Sequence, residues 1–403
     1  MAHGLEGIKV VDLSQVIAVP QAARHLADFG ADVIHVENPA TGDFFRYYQA
    51  GQGGTDGVPS DINYGWEVYN RNKRSVTIDV SQESGQQILY KLVEKADVFV
   101  TNMRPFELEN YNLTYGALSR LNPRLIYGAV NGYGKNGPER DAPAYDAIAY
   151  FARSGMPHVL SALGFRPGVG DNIAGLALAL GVMMALFIRE RTGIGQEVDL
   201  SLFQAGIYQI SFDIAGALVT GRDYEEWRYK SRDEIPNALS LPYMTKDGRM
   251  LWLVMLQPDR YWSRLCHGIG REDLEHDPRF ETFQPRMDNH IELMHILDEV
   301  FASKTLDEWK ARLIQAGIPF SPFQNLIEAI NDPQARANDF FVPFDHPTYG
   351  RIDVLANPIK LSKTPATVRM PAPEFGQHTE EVLLEYGYTW EDIAQFKERR
   401  VIA

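Results

Sequence analysis

The chain has almost no cysteine: Cys266 is the only one in 403 residues. A single thiol cannot form an intrachain disulfide, and the first ten residues, MAHGLEGIKV, lack the charged and apolar regions of a secretion signal. We therefore expect a cytoplasmic protein without a disulfide framework. Cys266 itself lies in an amphipathic stretch, where a packed thiol is the common case.

Positive charge is also scarce. The sequence has 39 Lys and Arg against 53 Asp and Glu, which gives a net charge of −14. Such a balance repels phosphate polymers and anionic membranes, so we expect neither a nucleic acid nor a membrane as partner. The ten histidines are scattered, and H-E-x-x-H and C-x-x-C spacings are missing, so we expect no metal site.

Long hydrophobic runs are missing as well. The longest, residues 173–188, has sixteen residues and contains Gly175 and Gly181. A helix that spans a membrane needs about twenty apolar residues. We therefore predict that this segment is a helix buried inside the protein.

What the chain does have is an alternation of short β-rich runs and helical segments. The strand-like runs cover residues 8–13, 32–37, 75–80, 97–101 and 124–130, and the helical patterns between them cover residues 21–29 and 82–95. Strand-helix-strand units of this kind almost always form parallel strands with right-handed crossovers. The sequence predicts an α/β fold whose large lobe is a Rossmann-like, doubly wound parallel sheet.

Beyond about residue 220 the pattern changes. Residues 243–250 are typical of a hairpin turn, residues 251–256 of a fully buried strand, and residues 303–316 of a helix that ends at Gly317. These features predict a smaller α+β lobe, and a last helix is predicted over residues 379–386. We assign residues 1–205 to the large lobe, completed by 340–403, and residues 225–330 to the small lobe, with linkers at 206–224 and 331–339.

Glycine patterns exclude some common sites. The turn after the first predicted strand, residues 14–20, contains no glycine, which disfavours a standard dinucleotide site, and the G-x-S-x-G elbow of serine hydrolases is missing. Residues 132–137 do match G-x-G-x-x-G, but Pro138 and a polar segment follow where a helix is required. We interpret this segment as a loop over a site, with a nucleotide fingerprint as the alternative.

One carboxylate stands out at the start of the apolar segment. Asp171 follows Gly168 and Gly170, and the run that begins at Ile173 comes directly after it. One interpretation is a helix N-cap. The other is a reactive carboxylate, since neighbouring glycines give a bulky reactant access.

Seven segments, in this order, resemble the class III coenzyme A transferases, the CaiB/BaiF or formyl-CoA transferase-like family: GLEGIKVVDLS, FGADVIHVENPATGD, NRNKRSVTIDV, ADVFVTNMRP, NPRLIYGAVNGYGKNGP, GVGDNIAG and RTGIGQEVDLSL. Weaker similarity continues in YMTKDGRMLWL, REDLEHDPRF and NDPQARANDFF, so the resemblance runs nearly from end to end.

The resemblance implies specific site residues. Asp171 falls on the catalytic aspartate of the family. CoA-pocket positions of the family match Gln15, Val16, Ile17, Ala18, Ile78, Asn102 and Met103, and positions near the reacting thioester match Tyr133 and Lys135. By their charge, Arg74 and Arg104 are candidate phosphate contacts, with a solvated surface arginine as the alternative. For the nucleotide of CoA, the densest positive cluster of the first lobe is Arg71, Lys73 and Arg74.

The resemblance also implies the chemistry. CoA would pass from an acyl-CoA to a carboxylic acid through an aspartyl anhydride and an aspartyl-CoA thioester, with CoA as a co-substrate, no tightly bound cofactor and an interlocked homodimer. Amides at the start of the helix are expected to stabilise the oxyanion or to lower the pKa of Asp171. Asn110, Asn131 and Ile17 stand where formyl-CoA enzymes have Arg, Lys and Gln, which favours 2-hydroxy acids and enoates over oxalate or formate.

Two alternatives remain at this point. A racemase of the α-methylacyl-CoA type belongs to the same superfamily, but it carries a histidine before an aspartate in G-H-D, where this chain has Ala144, Tyr145 and Asp146. The other is a non-catalytic CoA-binding subunit, against which the glycine-flanked Asp171 argues.

Overall fold

A computed structural model describes residues 3–47, 60–160, 166, 168–226 and 229–403. The chain divides into two compact units, of which the first contains Met1–Tyr224 and Asn338–Ala403 and the second Glu225–Ala337. The stretches expected to be linkers, 206–224 and 331–339, are largely helical.

The first unit is built on a six-stranded sheet in which every pair is parallel. Its strands are β1 (Lys9–Leu13), β2 (Asp32–Glu37), β3 (Lys73–Thr77), β4 (Val98–Thr101), β5 (Ile126–Asn131) and β6 (Gln196–Ser201). Their order is β3-β2-β1-β4-β5-β6. This order is that of a doubly wound sheet, so the predicted α/β class with a parallel Rossmann-like sheet is confirmed.

Helices cover both faces of the sheet. The helices up to residue 226 are α1 (Ala18–Asp28), α2 (Tyr64–Asn70), α3 (Glu83–Glu94), α4 (Pro105–Asn110), α5 (Tyr115–Leu121), α6 (Met156–Val159), α7 (Val169–Thr192), α8 (Leu202–Gln209) and α9 (Ser211–Thr220), with a π-helix at Ala147–Ala152 and 3-10 turns at Phe44–Arg46 and Tyr224–Glu226. Residues of α1 and α7 form the core on one face, and residues of α3 and α5 contribute to the core on the other.

The long helix α7 is only partly buried. Ala174, Leu178 and Val182 pack in the core, whereas Leu180 and Phe187 on the opposite side are 58% and 59% exposed. By length and composition α7 is apolar enough to cross a membrane, and 39% of its most apolar window is buried. The prediction of a helix enclosed by protein is wrong for this exposed face, because only one side of α7 contacts the sheet and α1.

The second unit has a three-stranded antiparallel sheet, β7 (Pro242–Met244), β8 (Met250–Leu253) and β9 (Phe320–Pro322). Its helices are α10 (Pro258–Ile269), α11 (Phe283–Asp288), α12 (His290–Phe301), α13 (Leu306–Gln315), α14 (Leu326–Asn331) and α15 (Pro333–Ala337), with 3-10 turns at Arg232–Glu234, Ala238–Ser240 and Glu272–Leu274. The hairpin forms where it is predicted. The strand after it ends at Leu253 and is not fully buried, because alternate side chains point outwards and Trp252 is 45% exposed.

The last residues return to the first unit. They form a hairpin, β10 (Phe341–His346) and β11 (Gly350–Leu355), and the helices α16 (Thr379–Glu385) and α17 (Trp390–Glu398). Val382, Leu383 and Ile393 pack into the sheet core beside α3. The helix predicted near 379–386 is therefore present, and α17 is an additional one.

Candidate active site

A cavity of about 110 Å³ opens at the carboxyl edge of the parallel sheet. Loops that follow β1, β4 and β5 line it, together with the first turn of α7. Its lining residues are Val16, Ile17, Ala18, Asn102, Arg104, Pro105, Val130, Asn131, Gly132, Arg140, Ala142, Ala144, Tyr145, Asp171 and Leu202. The strand order reverses between β1 and β4, and such switch points are where open α/β sheets bind ligands.

The turn after β1 forms one wall of the cavity. Its first residue, Gln15, is held at both backbone ends by the Asn102 side chain: the Gln15 N–H donates to Oδ1 (3.0 Å), and Nδ2 donates to the Gln15 carbonyl (2.8 Å). Val16 has a φ of +71°, a left-handed conformation that is uncommon for a β-branched residue. Ile17 and Ala18 follow at the start of α1, so the turn ends as a helix N-terminus facing the cavity.

Asp171 forms the opposite wall. It is the third residue of α7, and because α7 connects two parallel strands its first turn lies at the carboxyl edge of the sheet. In the described part of the chain, no donor contacts the Asp171 carboxylate within hydrogen-bonding distance. The Asp146 carboxylate takes the capping position, accepting from the N–H of Gly168 (2.6 Å) and of Gly170 (3.3 Å). Asp171 is therefore not the cap of α7, and its carboxylate faces the cavity without a partner.

The pKa of Asp171 is raised from 3.8 to about 7. Burial is the main cause, and the negative charge of Asp146 is the second. The expectation that helix amides lower the pKa of Asp171 is wrong, because those amides donate to Asp146 instead. Burial also raises the pKa of Asp146 itself.

The glycines around Asp171 are required by the local backbone conformation and by packing. Gly168 has a φ of +95°, and a Cβ on Gly170 would lie 2.5 Å from the Tyr150 ring. A Cβ on Gly175 would lie 2.6 Å from the Ala18 carbonyl, so this glycine lets α1 and α7 pack closely. The interpretation that Gly170 is small to admit a reactant is therefore corrected: the space is taken by Tyr150.

The cavity gathers about half of the residues that the sequence suggested. Val16, Ile17, Ala18, Asn102, Arg104 and Asp171 all line it. Gln15 lies beside it and is bonded to Asn102. Two others belong to the hydrophobic core: Ile78 is 2% exposed, and Met103 packs against the same cluster.

Two residues of the 132–137 segment lie next to the cavity without lining it. The Tyr133 ring packs against Phe203, with the Arg153 guanidinium 5.2 Å from its centre. The Lys135 ammonium pairs with Glu197 at 2.6 Å. Gly132 does line the cavity, and the segment is a loop, as its interpretation from sequence requires.

The predicted positive cluster is not available to a ligand. Arg74 lies near the amino end of β3, at the opposite edge of the sheet, and is held by Asp32, Glu381 and Glu385. Arg71 is buried against Asp28, and Lys73 is fully buried against Asp12. Arg74 as a phosphate contact is therefore corrected: it lies at the edge of the sheet opposite the cavity, where three carboxylates hold it.

Sequence reasoning missed Arg140 and assigned no ligand role to Tyr145 or Leu202, which also line the cavity. Arg140 pairs with Glu109 (2.6 Å) and Asp141 (3.0 Å), and Arg104 pairs with Glu107 (3.0 Å). The two guanidinium groups supply positive charge at the cavity wall, even though the whole chain is acidic. The only signal in the sequence is that Arg140 follows the glycine-containing loop.

Across the described ranges, no three His, Cys, Asp or Glu side chains are grouped so as to hold a metal ion.

The family model described as CoA-transferase family III matches residues 5–379. The chain is 39% identical to (R)-2-hydroxy-4-methylpentanoate CoA-transferase of Clostridioides difficile, over 99% of both chains. It is 32% identical to cinnamoyl-CoA:phenyllactate CoA-transferase of Clostridium sporogenes, over 98% of this chain and 96% of that one. A CAIB/BAIF family protein from Brucella suis superposes with a TM-score of 0.81 at 28% identity, covering 96% of this chain and 100% of the other.

Proposed function

The chain belongs to CoA-transferase family III and is a CoA-transferase, and on that premise we propose that Asp171 is the nucleophile that carries CoA between two carboxylic acids. The observation that supports this role is a carboxylate in the wall of the switch-point cavity that no donor contacts among the residues that the structure describes. An aspartate held by donors would lose those bonds on attacking a carbonyl, whereas Asp171 has none to lose within the described part of the chain.

The proposed reaction needs no net proton. The Asp171 carboxylate attacks the thioester carbonyl of the acyl-CoA, which forms a mixed anhydride and releases CoA thiolate. The thiolate attacks the aspartyl carbonyl, which forms an aspartyl-CoA thioester and releases the first acid as its carboxylate. The acceptor carboxylate then attacks the aspartyl thioester, which forms a second mixed anhydride and releases CoA thiolate, and the thiolate attacks the acyl carbon of the acceptor and frees Asp171. Product thioester leaves, and Asp171 is a carboxylate again.

The surroundings of Asp171 suit such intermediates. Anhydrides and thioesters hydrolyse in water, so the site has to exclude it during turnover. Ile17, Ala18, Ala144 and Leu202 give the cavity apolar walls beside the carboxylate. The same apolar surroundings raise the pKa of Asp171, so the ionised nucleophile is poorly solvated and reactive.

We assign the pantetheine arm of CoA to the wall made by Val16, Ile17, Ala18 and Asn102. Arg104 and Arg140 are the proposed phosphate contacts, since guanidinium groups match phosphate geometry. Both side chains are partly exposed: Arg104 pairs with Glu107 and lies over the Phe106 ring, and Arg140 pairs with Glu109 and Asp141. A phosphate can replace these surface carboxylates.

For the acids, we propose a 2-hydroxy acid or a matching enoate. The support is the activity for which two relatives are named, CoA transfer with (R)-2-hydroxy-4-methylpentanoate and between cinnamoyl-CoA and phenyllactate. The apolar cavity walls agree with acids that carry apolar side chains. A transfer assay with a panel of acyl-CoA donors and carboxylate acceptors, read by liquid chromatography, tests this specificity.

We also propose a cytoplasmic homodimer. The support is the apolar surface of the first unit: Leu180, Met184 and Phe187 of α7 are more than half exposed, as are Phe212 and Val219 of α9. Single exposed apolar residues are ordinary, but a set of large ones on two helices of the same unit is typical of a protein interface. Sedimentation at micromolar concentration is expected to give twice the chain mass.

The experiment for the nucleophile compares Asp171→Asn and Asp171→Ala with wild type in the transfer assay. Both variants are expected to lose transfer while still binding CoA in calorimetry. Asp97→Asn is the matched control, because Asp97 precedes β4 at the opposite edge of the sheet, where it accepts from the Lys9 N–H and pairs with Arg189. Wild-type turnover by Asp171→Ala would remove Asp171 from the mechanism.

A further inference from the structure

The turn that lines the CoA wall is held in an unfavourable backbone conformation. Among the described residues other than glycine, five have a positive φ: Val16, Asn72, Asn112, Asp339 and Arg400. Val16 is the only β-branched member of this group, and a β-branched side chain makes the left-handed region especially unfavourable. Such strain persists only where the surroundings enforce it.

Asp43 is the group that contacts the strained residue. Both of its carboxylate oxygens lie within hydrogen-bonding distance of the Val16 N–H, at 3.1 and 3.2 Å. Asn102 fixes the preceding residue, Gln15, as described above. The left-handed residue is therefore held from two sides, by a carboxylate on its own amide and by an amide side chain on its neighbour.

Asp43 is itself firmly placed. It is 1% exposed, its N–H donates to Glu37 Oε2 (3.0 Å), and its Oδ1 accepts from the Phe45 N–H (2.8 Å). His35 Nε2 lies 3.7 Å from Oδ2. Burial raises the pKa of Asp43, so the fold keeps this carboxylate at an energetic cost. Asp43 is not among the residues that line the cavity, so direct contact with substrate does not explain that cost.

We propose that Asp43 is a positioning residue that acts through Val16: its carboxylate holds the turn from Gln15 to Ala18 in the left-handed conformation that leaves the cavity open for CoA. The inference rests on the proposed CoA site. When only a fraction of the molecules has the competent turn, the apparent dissociation constant rises by the inverse of that fraction. The loss of Asp43 therefore acts on CoA binding and on KM, and much less on kcat.

The direct test compares three variants in calorimetric titrations with CoA. Asp43→Ala is expected to weaken CoA binding by about tenfold, a difference of about 1.4 kcal/mol. Asp43→Asn keeps an acceptor oxygen for the Val16 N–H and is expected to bind within about twofold of wild type, since one neutral hydrogen bond is retained. Asp97→Ala removes a carboxylate at the far edge of the sheet and is expected to leave CoA binding unchanged.

A second-site change separates positioning from general damage. Glycine adopts a positive φ without steric cost, so a turn with Val16→Gly depends less on Asp43. Asp43→Ala is expected to weaken CoA binding less in a protein that carries Val16→Gly than in one that keeps Val16. Wild type, the two single variants and the double variant together form a double-mutant cycle that measures this coupling. An equal loss in both backgrounds would show damage unrelated to the turn and would overturn the proposal.

Hydrogen exchange read by mass spectrometry tests, without any ligand, whether Asp43 holds the turn from Gln15 to Ala18. In Asp43→Ala, a peptide that contains residues 14–18 is expected to exchange faster, while peptides from β4 and β5 keep wild-type protection. Unchanged exchange over 14–18 would overturn the proposal. If wild type itself does not bind CoA, the proposed function fails, and the exchange data alone then decide whether Asp43 holds the turn.

Discussion

Replacing Asp146 by Asn is expected to move the pH dependence of transfer to lower pH. The pKa of Asp171 is about 7 because of burial first and the charge of Asp146 second. The amide of the Asp146→Asn variant keeps an oxygen to accept from Gly168 and Gly170, so the first turn of α7 stays in place while the charge disappears. Burial remains, so only the smaller part of the increase is lost.

The magnitude follows from these two causes. As the lesser of the two, Asp146 is expected to account for about one pH unit, which lowers the pKa of Asp171 from about 7 to about 6. At pH 6 the ionised fraction of Asp171 then rises from about one in eleven to about one half, so kcat/KM increases about fivefold. At pH 8.5 both enzymes are fully ionised and differ little.

The assay is the rate of CoA transfer at subsaturating acyl-CoA between pH 5 and 9, because kcat/KM reports the ionisation of the free enzyme. Asp97→Asn is the control for the loss of one negative charge and is expected to keep the wild-type profile. A profile for Asp146→Asn that coincides with wild type, or that moves to higher pH, would refute the reasoning about the two carboxylates.

Three further predictions concern stability and binding. The pKa of Asp171 in the folded protein lies above its value in the unfolded chain, so ionisation of Asp171 destabilises the fold increasingly from about pH 4 to 7. In urea unfolding, Asp171→Asn should therefore be more stable than wild type at pH 8, by at most about 4 kcal/mol, and equally stable at pH 4. Gly170→Ala should lower stability by about 1–3 kcal/mol and reduce transfer, because its Cβ meets the Tyr150 ring; thermal unfolding measures the first effect. Arg104→Ala and Arg140→Ala should each raise KM for acyl-CoA by about tenfold but leave KM for an acyl-pantetheine unchanged, since the shorter substrate has no nucleotide phosphates.

The large lobe was predictable because its information is local. Short β-runs and helical patterns alternate through residues 8–130, and the handedness rule fixes how such units assemble. The sequence of α7 looks fully apolar, however, and does not tell which side meets the sheet. The exposed residues Leu180 and Phe187 required the fold itself.

The candidate site could be predicted where a residue follows a strand. It could not be predicted where the role of a charged side chain depends on partners from distant parts of the chain. Val16 lies in the turn after β1 and Asn102 comes directly after β4, so the sheet brings them together at one edge. Arg74 suits a phosphate by its charge, yet it lies at the edge of the sheet opposite the cavity, where Asp32 and two glutamates from the far end of the chain hold it. Likewise, nothing near Asp171 in the sequence indicates that the amides at the start of α7 donate to Asp146. Because they do, the pKa of Asp171 is raised rather than lowered.

The covalent step is tested most directly by intact-protein mass spectrometry after incubation with an acyl-CoA donor and rapid acid quenching, followed by peptide mapping. The mechanism predicts a gain equal to CoA minus one water on a peptide that contains Asp171, its disappearance on addition of an acceptor acid, and no gain in Asp171→Asn. If wild type transfers CoA and the adduct lies on another residue, or forms equally in Asp171→Asn, then Asp171 is not the nucleophile.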